Sequence, residues 1–129
     1  MGRKSFLIII LLGIILSSST YRKEYMSIAE MKVGLAENPL GLDTSVPRFG
    51  WQLVSNPHER GIYQTAYQLE VKDEAGKVIW NSGKVTTDVS QHVTYQGEAL
   101  KPATRYIWKV KIWNNKGEIA EKDAWFETS

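Results

Sequence analysis

The ten residues from 105 to 114 alternate between apolar and mostly charged side chains, a pattern with a period of two. One set is Tyr106, Trp108, Val110 and Ile112, and the other is Ile107, Lys109, Lys111 and Trp113. Such alternation is typical of a β-strand with one face in the core, because successive side chains point to opposite faces. The first set is more continuously apolar and is predicted to face inward. No apolar period of 3.6 residues persists for three turns along the body of the chain, so almost no helix is predicted.

Similar short runs of β-branched and aromatic residues recur through the body of the chain, separated by Gly, Pro, Asn and Asp. Strands are predicted at 31–37, 48–54, 62–72, 77–81, 90–95, 105–114 and 121–128. Short strands spaced about ten residues apart indicate an all-β sandwich or barrel. We therefore predict one seven-stranded β-sandwich over residues 30–129.

The hairpin between the last two predicted strands has a register that the sequence specifies. Phe126 shares the inner face with Tyr106 only if the numbers of opposed residues sum to an even number. A three-residue loop over 115–117 places residue 114 opposite 118 and meets this condition, whereas a four-residue loop does not. Gly117 ends that loop, where a left-handed conformation is expected. The same register places Trp125 opposite Ile107 on the outer face.

The first nineteen residues have the layout of a secretory signal peptide. A short basic start is followed by FLIIILLGIIL, an apolar run of eleven residues at 6–16, and then by three serines. A transmembrane anchor needs about 20 apolar residues, and a buried helix would need a polar face and caps, which this run lacks. We predict a signal peptide over 1–19, a tether over 20–29, a secreted or periplasmic location and no stable membrane span after cleavage.

Composition excludes several classes of function. The 129 residues suit one domain. Arg3 and Lys4 fall in the predicted signal peptide, and the other charges are 14 basic and 14 acidic residues. A chain without excess positive charge is a poor candidate for binding nucleic acid. The chain has no cysteine, which excludes disulfides, cysteine zinc sites and a thiol nucleophile.

The motif Leu100-x-Pro102-x-Thr104-x-Tyr106 opens the sixth predicted strand. It resembles the tyrosine corner of fibronectin type III modules, and Trp51 lies where those modules carry a core tryptophan. The resemblance implies that the Tyr106 ring fills one end of the core and its hydroxyl bonds to upstream backbone. The predicted structural core residues are Trp51, Leu100, Pro102, Tyr106 and Trp108.

A narrower resemblance covers residues 31–128. Its ordered blocks are LD at 42–43, PRFGW at 47–51, QTAYQLEV at 64–71, IWNSGKV at 79–85, YxWxVxIW at 106–113 and AWFET at 124–128. Together they resemble the N-terminal fibronectin type III-like module of bacterial α-L-rhamnosidases, glycoside hydrolase family 78. Asn81 and Gly50 depart from that pattern, where Asp and Ser are common.

In that family the module precedes a helical toroid whose acidic residues cleave terminal L-rhamnose. Because the chain stops at Ser129, the resemblance implies a non-catalytic accessory module, the N-terminal fragment of an exported rhamnosidase. Its expected role is to pack against and position the catalytic domain, and the chain itself is not expected to be an enzyme. The alternative is a free-standing exported module that binds carbohydrate or protein.

The residues themselves predict no catalytic, metal or cofactor site. Hydrolysis of a glycoside needs two carboxyl groups about 5–10 Å apart, and the acidic candidates lie in predicted turns or strand edges: Glu37, Asp43, Asp73, Glu74 and Asp88. His58 and His92 are interpreted as surface residues rather than as metal ligands.

Three tryptophans are candidates for an outward-facing, interdomain surface: Trp80, Trp113 and Trp125. Sugars stack on exposed indoles, but the predicted register places Trp113 and Trp125 roughly 20 Å apart, too far for one platform. Docking against other domains of the parent rhamnosidase is therefore favoured, with a rhamnose-containing glycan as the alternative partner.

Overall fold

A computed structural model describes residues 26–129, which form seven strands in two sheets. The strands are β1 (Met26–Val33), β2 (Arg48–Ser55), β3 (Gln64–Lys72), β4 (Val78–Asn81), β5 (Val93–Thr94), β6 (Arg105–Asn114) and β7 (Ile119–Glu127). One sheet has the order β1-β2-β5, the other has β4-β3-β6-β7, and every neighbouring pair is antiparallel. The predicted all-β sandwich is confirmed. The predicted signal peptide and residues 20–25 of the predicted tether lie outside the described residues.

The core lies between the sheets and is built from aromatic side chains of both. Phe49 of β2 reaches across to Trp108 and Phe126, with ring centroids 4.8 and 6.0 Å apart. Trp51 packs edge-on against Tyr67 at 5.2 Å. Full burial of side chains of this size stabilises the fold by roughly 1.5–3 kcal/mol each, which allows a domain without disulfides to hold together.

The β6–β7 hairpin has the predicted register. Tyr106 pairs with Phe126 and Ile107 with Trp125. The Asn114 amide donates to the Glu118 carbonyl at 3.1 Å, which closes the three-residue loop. Gly117 has a φ of +77°, in the left-handed region. Both the loop and the parity of the pairing are confirmed.

The first strand begins at Met26, earlier than the prediction of 31–37. The tether prediction is therefore wrong for residues 26–29, and the sandwich extends beyond its predicted start at residue 30. The physical reason is a bulge: pairing with β2 shifts between Ala29 and Lys32, and Glu30 has a φ of +48°. The inward positions change from even to odd numbers across the bulge, so no single period runs through the strand.

Three other strands differ from their predicted bounds by two or more residues at one end at least. The fifth strand is reduced to Val93–Thr94 from a predicted 90–95, and the third begins at Gln64 rather than residue 62. The seventh spans Ile119–Glu127 instead of 121–128, because pairing with β6 continues to the loop.

The tyrosine corner forms at the end of the core. The Tyr106 hydroxyl accepts a hydrogen bond from the Lys101 amide at 2.8 Å, and its ring stacks on Phe126 at 5.3 Å. Leu100 is half-buried against the core. Pro102 is exposed, which corrects its predicted place in the core. The bend carries Pro102 and Ala103 outward, and Ala103 has a φ of +50°.

A polar network beside Trp51 was not predicted. The Trp51 indole N–H donates to the Gln64 side-chain oxygen at 2.8 Å. The Gln64 amide nitrogen donates in turn to the carbonyls of Thr87 and Val89 at 3.1 and 2.9 Å. Gln64 thereby satisfies a buried indole and fastens the loop before β5 to the core.

Candidate docking surface

The outer face of the four-stranded sheet carries two of the three candidate tryptophans. Trp125 lies opposite Ile107, and Trp113 lies opposite Ile119. Ile107 and Trp113 are six residues apart on β6, which separates the two pairs by roughly 20 Å. The two tryptophans therefore belong to two separate patches.

The patch around Trp125 combines apolar and charged groups. The Arg105 guanidinium lies over the Trp125 ring, 4.0 Å from its centroid, and is paired with the Glu127 carboxylate at 2.8 Å. Ile107 is 48% exposed and Leu40 is 68% exposed. We call Leu40, Arg105, Ile107, Trp125 and Glu127 the Trp125 patch.

Leu40 belongs to this patch because its neighbours extend the sheet along the free edge of β7. The Glu127 amide donates to the Pro39 carbonyl at 2.9 Å, and the Leu42 amide donates to the Glu127 carbonyl at 2.7 Å. The Trp125 amide donates to the Asn38 side chain at 3.1 Å. These bonds hold residues 38–42 in place and set Leu40 beside β7.

The patch around Trp113 is covered by cations. The ammonium groups of Lys84 and Lys111 lie 4.5 and 5.1 Å from its ring centroid. Ile119 is 52% exposed beside it. We call Lys84, Lys111, Trp113 and Ile119 the Trp113 patch.

Charged rows separate the two patches. Lys109 lies between Glu70 and Asp123, and Lys111 lies between Gln68 and Glu121 in the sheet register. The charged side chains of these rows favour contact with water. The outer face therefore offers two small apolar areas rather than one continuous surface.

Trp80 does not face outward, which corrects its assignment to the interdomain surface. Its ring stacks on Phe49 at 6.0 Å and meets Tyr95 edge-on at 5.3 Å. The cause is a register shift between β3 and β4, where Val71 pairs with Trp80 but Lys72 pairs with Val78. Ile79 is the extra residue, and both Ile79 and Trp80 then reach the core.

Three of the five acidic candidates, Asp73, Glu74 and Asp43, form hydrogen bonds within the domain. One Asp73 oxygen accepts from the amides of Ala75 and Lys77, both at 2.9 Å, and stabilises the turn before β4. Glu74 accepts from the Arg105 amide at 3.1 Å, and Asp43 contacts the Ser129 hydroxyl at 3.3 Å.

The two histidines lie at opposite ends of β2. His58 follows the last residue of β2, whereas His92 precedes Val93, which pairs with Phe49 near the start of that strand. In the part of the chain that the structure describes, no three His, Asp or Glu side chains are grouped to hold a metal ion. Within residues 26–129, no helix has the length and apolar character needed to cross a bilayer.

The sequence prediction placed Trp113 and Trp125 on the outer face through the hairpin register but did not single out Leu40, Arg105 or Ile107. The outward positions of Arg105 and Ile107 could have been predicted from sequence, because both alternate on β6 with the inward residues Tyr106 and Trp108. Leu40 lies outside any strand, and its position follows only from tertiary hydrogen bonds.

Comparison with known proteins identifies the family. The family described as Rha78A-like, N-terminal immunoglobulin domain, matches residues 28–129. An α-L-rhamnosidase of Streptomyces avermitilis is 38% identical over 109 residues, covering 80% of this chain and 10% of that protein. An α-L-rhamnosidase of Formosa agariphila is 37% identical over 87 residues, covering 63% of this chain and 9% of that protein.

Solved structures agree. The crystal structure of the S. avermitilis α-L-rhamnosidase complexed with L-rhamnose has a TM-score of 0.73 and 35% identity, over 81% of this chain and 10% of that one. The α-L-rhamnosidase from Dictyoglumus thermophilum has a TM-score of 0.72 and 30% identity, over 83% of this chain and 13% of that one.

The chain thus spans about a tenth of the length of the curated relatives, with shares of 10% and 9%. The catalytic domain of those relatives falls outside the part that it matches. The chain belongs to the family of Rha78A-like N-terminal immunoglobulin domains, and it corresponds to the N-terminal immunoglobulin-like domain of α-L-rhamnosidases.

Proposed function

We propose that this domain is a non-catalytic accessory module of an exported α-L-rhamnosidase and that it docks on another domain of the same protein through the Trp125 patch. The observation that carries the proposal is the combination of exposed Ile107 and Leu40 with an ordered arginine and tryptophan. Arg and aromatic residues are enriched at interfaces between folded units.

Position favours the Trp125 patch over the Trp113 patch. In the relatives this domain is N-terminal, so most of their length continues beyond the equivalent of Ser129. The Ala103 amide donates to the Ser129 carbonyl at 3.1 Å, and the Ser129 amide donates to the Leu42 carbonyl at 3.1 Å. These bonds hold the end of the chain beside Leu42, two residues from Leu40, so a following domain would start next to this patch.

Chemistry favours the same patch. The Arg105 guanidinium stacks on Trp125 and bonds Glu127 with its Nε at 2.9 Å, so it is already oriented before a partner binds. A pre-oriented side chain loses less conformational entropy in an interface. Lysines have flexible stems and strongly hydrated ammonium groups. Lys84 and Lys111 therefore keep water bound above the Trp113 ring, and a partner would have to displace that water.

Export rests on the layout of residues 1–19, where a basic start, an eleven-residue apolar run and three serines follow one another. We propose that the signal peptide directs the protein out of the cytoplasm and is removed there. N-terminal sequencing of the exported protein tests this, and a start near Ser19 is the expected result.

The docking proposal is tested in the full-length protein, obtained by cloning the reading frame around this sequence. Trp125→Ala is compared with Trp113→Ala as the matched control. We expect Trp125→Ala to increase cleavage by protease at the border of the domain and to lower the unfolding temperature of the full-length protein. Trp113→Ala should leave the protease cleavage unchanged and lower the unfolding temperature by less than Trp125→Ala does.

Hydrolysis of a chromogenic α-L-rhamnoside provides the second measurement. The full-length protein should hydrolyse it, whereas this chain alone should not. Equal protease sensitivity of the two tryptophan variants would contradict docking through the Trp125 patch. A reading frame without a catalytic domain would overturn the assignment to a rhamnosidase and favour the free-standing binding module.

A further inference from the structure

A cleft of about 710 Å³ opens at the side of the sandwich where neither sheet is closed. The three-stranded sheet ends there at β5, and the four-stranded sheet ends at β4. Its volume falls within the roughly 300–1,000 Å³ typical of sites for small molecules. The cleft lies on the sandwich edge and shares no residue with the Trp125 patch or the Trp113 patch.

Two segments of the chain form the walls of the cleft, one after β4 and one after β5. On one side the segment after β4 is tied to the core by the paired amides and carbonyls of Tyr67 and Val85, at 2.8 and 2.9 Å. On the other side the segment after β5 crosses to β4, where the Glu98 amide donates to the Ile79 carbonyl at 3.1 Å. The walls are therefore backbone segments that are hydrogen-bonded to the sheets.

The lining mixes polar and apolar side chains and contains no carboxylate, ammonium or guanidinium group from the described residues. Its polar side chains are Asn81, Ser82, Thr87, His92, Thr94 and Gln96. No Asp, Glu, Lys or Arg of the described chain lines the cleft. Without a fixed charge the cleft cannot form an ion pair with a charged ligand. Amides and hydroxyls can both donate hydrogen bonds to and accept them from neutral polar groups.

One tyrosine of the lining has a hydroxyl with unused hydrogen-bonding capacity. Tyr67 is only 8% exposed and lines the cleft. Within residues 26–129 no group hydrogen-bonds its hydroxyl, whereas the hydroxyl of Tyr95 donates to the Glu98 carbonyl. Burial raises the pKa of Tyr67, so the phenol stays protonated and able to donate at neutral pH.

Other donors around the cleft lie on three side chains that are exposed to solvent, those of Asn81, Thr94 and Gln96. The Asn81 side-chain oxygen accepts from Gln68 and Gly83, both at 2.9 Å. In the described chain its amide nitrogen has no hydrogen-bond partner, and neither have the side chains of Thr94 and Gln96. The half-buried indole of Trp80 supplies an apolar surface among these groups.

We propose that this edge cleft binds a neutral pyranose unit of a carbohydrate, with hydroxyl groups of the sugar bonded by Tyr67, Asn81 and Gln96 and its apolar face against Trp80. A sugar ring presents several neutral hydroxyls around a patch of C–H groups. Uncharged donors and acceptors beside an indole are complementary to that combination.

The test is a titration of the purified full chain with D-glucose, D-galactose, D-mannose and L-rhamnose, followed by amide and indole NMR shifts. D-Glucuronate and D-glucosamine are the matched charged probes, because they keep the ring of glucose and add a charge. We expect at least one neutral sugar to cause saturable shifts at the Trp80 indole and at residues 81–96, and both charged sugars to bind more weakly than glucose.

Tyr67→Phe is the decisive variant, because it removes the hydroxyl and keeps the packed ring. It should weaken sugar binding roughly two- to tenfold, the effect of one lost hydrogen bond. Tyr63→Phe is its control, since Tyr63 is 59% exposed and lies outside the cleft. Asn81→Asp keeps the oxygen that accepts from Gln68 and Gly83 but removes the amide donor, and it should weaken binding to a similar extent.

The absence of saturable shifts with all four neutral sugars would overturn the proposal. So would equal affinities of Tyr67→Phe and Tyr63→Phe, or preferential binding of a charged probe. These outcomes are independent of docking, because the experiment uses this chain alone and leaves the Trp125 patch unchanged.

Discussion

The β6–β7 hairpin has two faces with opposite roles, and Trp108 and Trp125 represent them. Trp108 is 1% exposed and packs against Phe49, whereas Trp125 on the other face touches Arg105 and borders exposed Ile107. The same two strands supply both indoles. One face is used by the domain for its own stability, and the other remains available to a neighbour.

The inner face is itself uneven in how it satisfies its polar atoms. The Trp51 indole N–H donates to Gln64. The Trp108 indole N–H is fully buried and has no hydrogen-bond partner among the described residues. An unpaired buried donor costs about 1–3 kcal/mol, so Trp108 stabilises the domain through its packing alone, whereas Trp51 contributes both packing and a polar anchor.

The largest expected effect sharpens the contrast between the faces. Trp51→Ala empties the centre of the core and should lower the free energy of unfolding by roughly 3–5 kcal/mol. Urea titration of the purified chain measures it. A shift in the midpoint no larger than that of an outer-face variant would break the comparison, since the inner indoles would then carry no special share of stability.

Gln64→Ala tests the polar anchor on the inner face. It removes the acceptor of the Trp51 indole and the two bonds to the loop carbonyls of Thr87 and Val89. We expect a loss of about 2 kcal/mol, because a buried donor is left unsatisfied. Gln52→Ala on the exposed side of β2 is the control and should change stability by about 0.5 kcal/mol at most.

Tyr106→Phe tests the end of the inner face. The ring and its stacking on Phe126 remain, and only the bond from the Lys101 amide at 2.8 Å is lost. The expected cost is about 1 kcal/mol or more in the free energy of unfolding. No change in the urea midpoint would mean that water bonds the Lys101 amide as well as the hydroxyl does. The tyrosine corner would then stabilise the domain only through the packing of its ring.

Regular strands explain which features were predictable from sequence. In β6 the period of two runs without interruption, and its pairing with β7 has no bulge, so the hairpin register and the outward positions of Trp113 and Trp125 follow from the pattern. Bulges in β1 and β4 break the period, and the start of β1 and the direction of Trp80 were accordingly wrong. A local pattern carries no information about an irregularity that only pairing with the neighbouring strand produces.

Features that depend on distant segments were not predictable in the same way. Gln64 reads as an ordinary polar residue at the start of a strand, and its role depends on Trp51 and on the loop carbonyls of Thr87 and Val89. The edge cleft joins Tyr67 of β3 to residues around β5. Pro102 matched a motif, but the bend that exposes it is set by Ala103 in a left-handed conformation.

The smallest expected effect decides what the outer face is for. In this chain alone, Trp125→Ala should lower the free energy of unfolding by only about 0.5 kcal/mol, the scale of an exposed cation–π contact. Trp113→Ala should cost about as much, because its ring also lies under cations. Urea midpoints of the two variants are compared with those of Trp51→Ala. If Trp125→Ala cost several kcal/mol here, the side chain would be part of the fold itself. A lower unfolding temperature of the full-length variant would then be no sign of docking, whereas a small cost here leaves the neighbouring domain as the reason for such a drop.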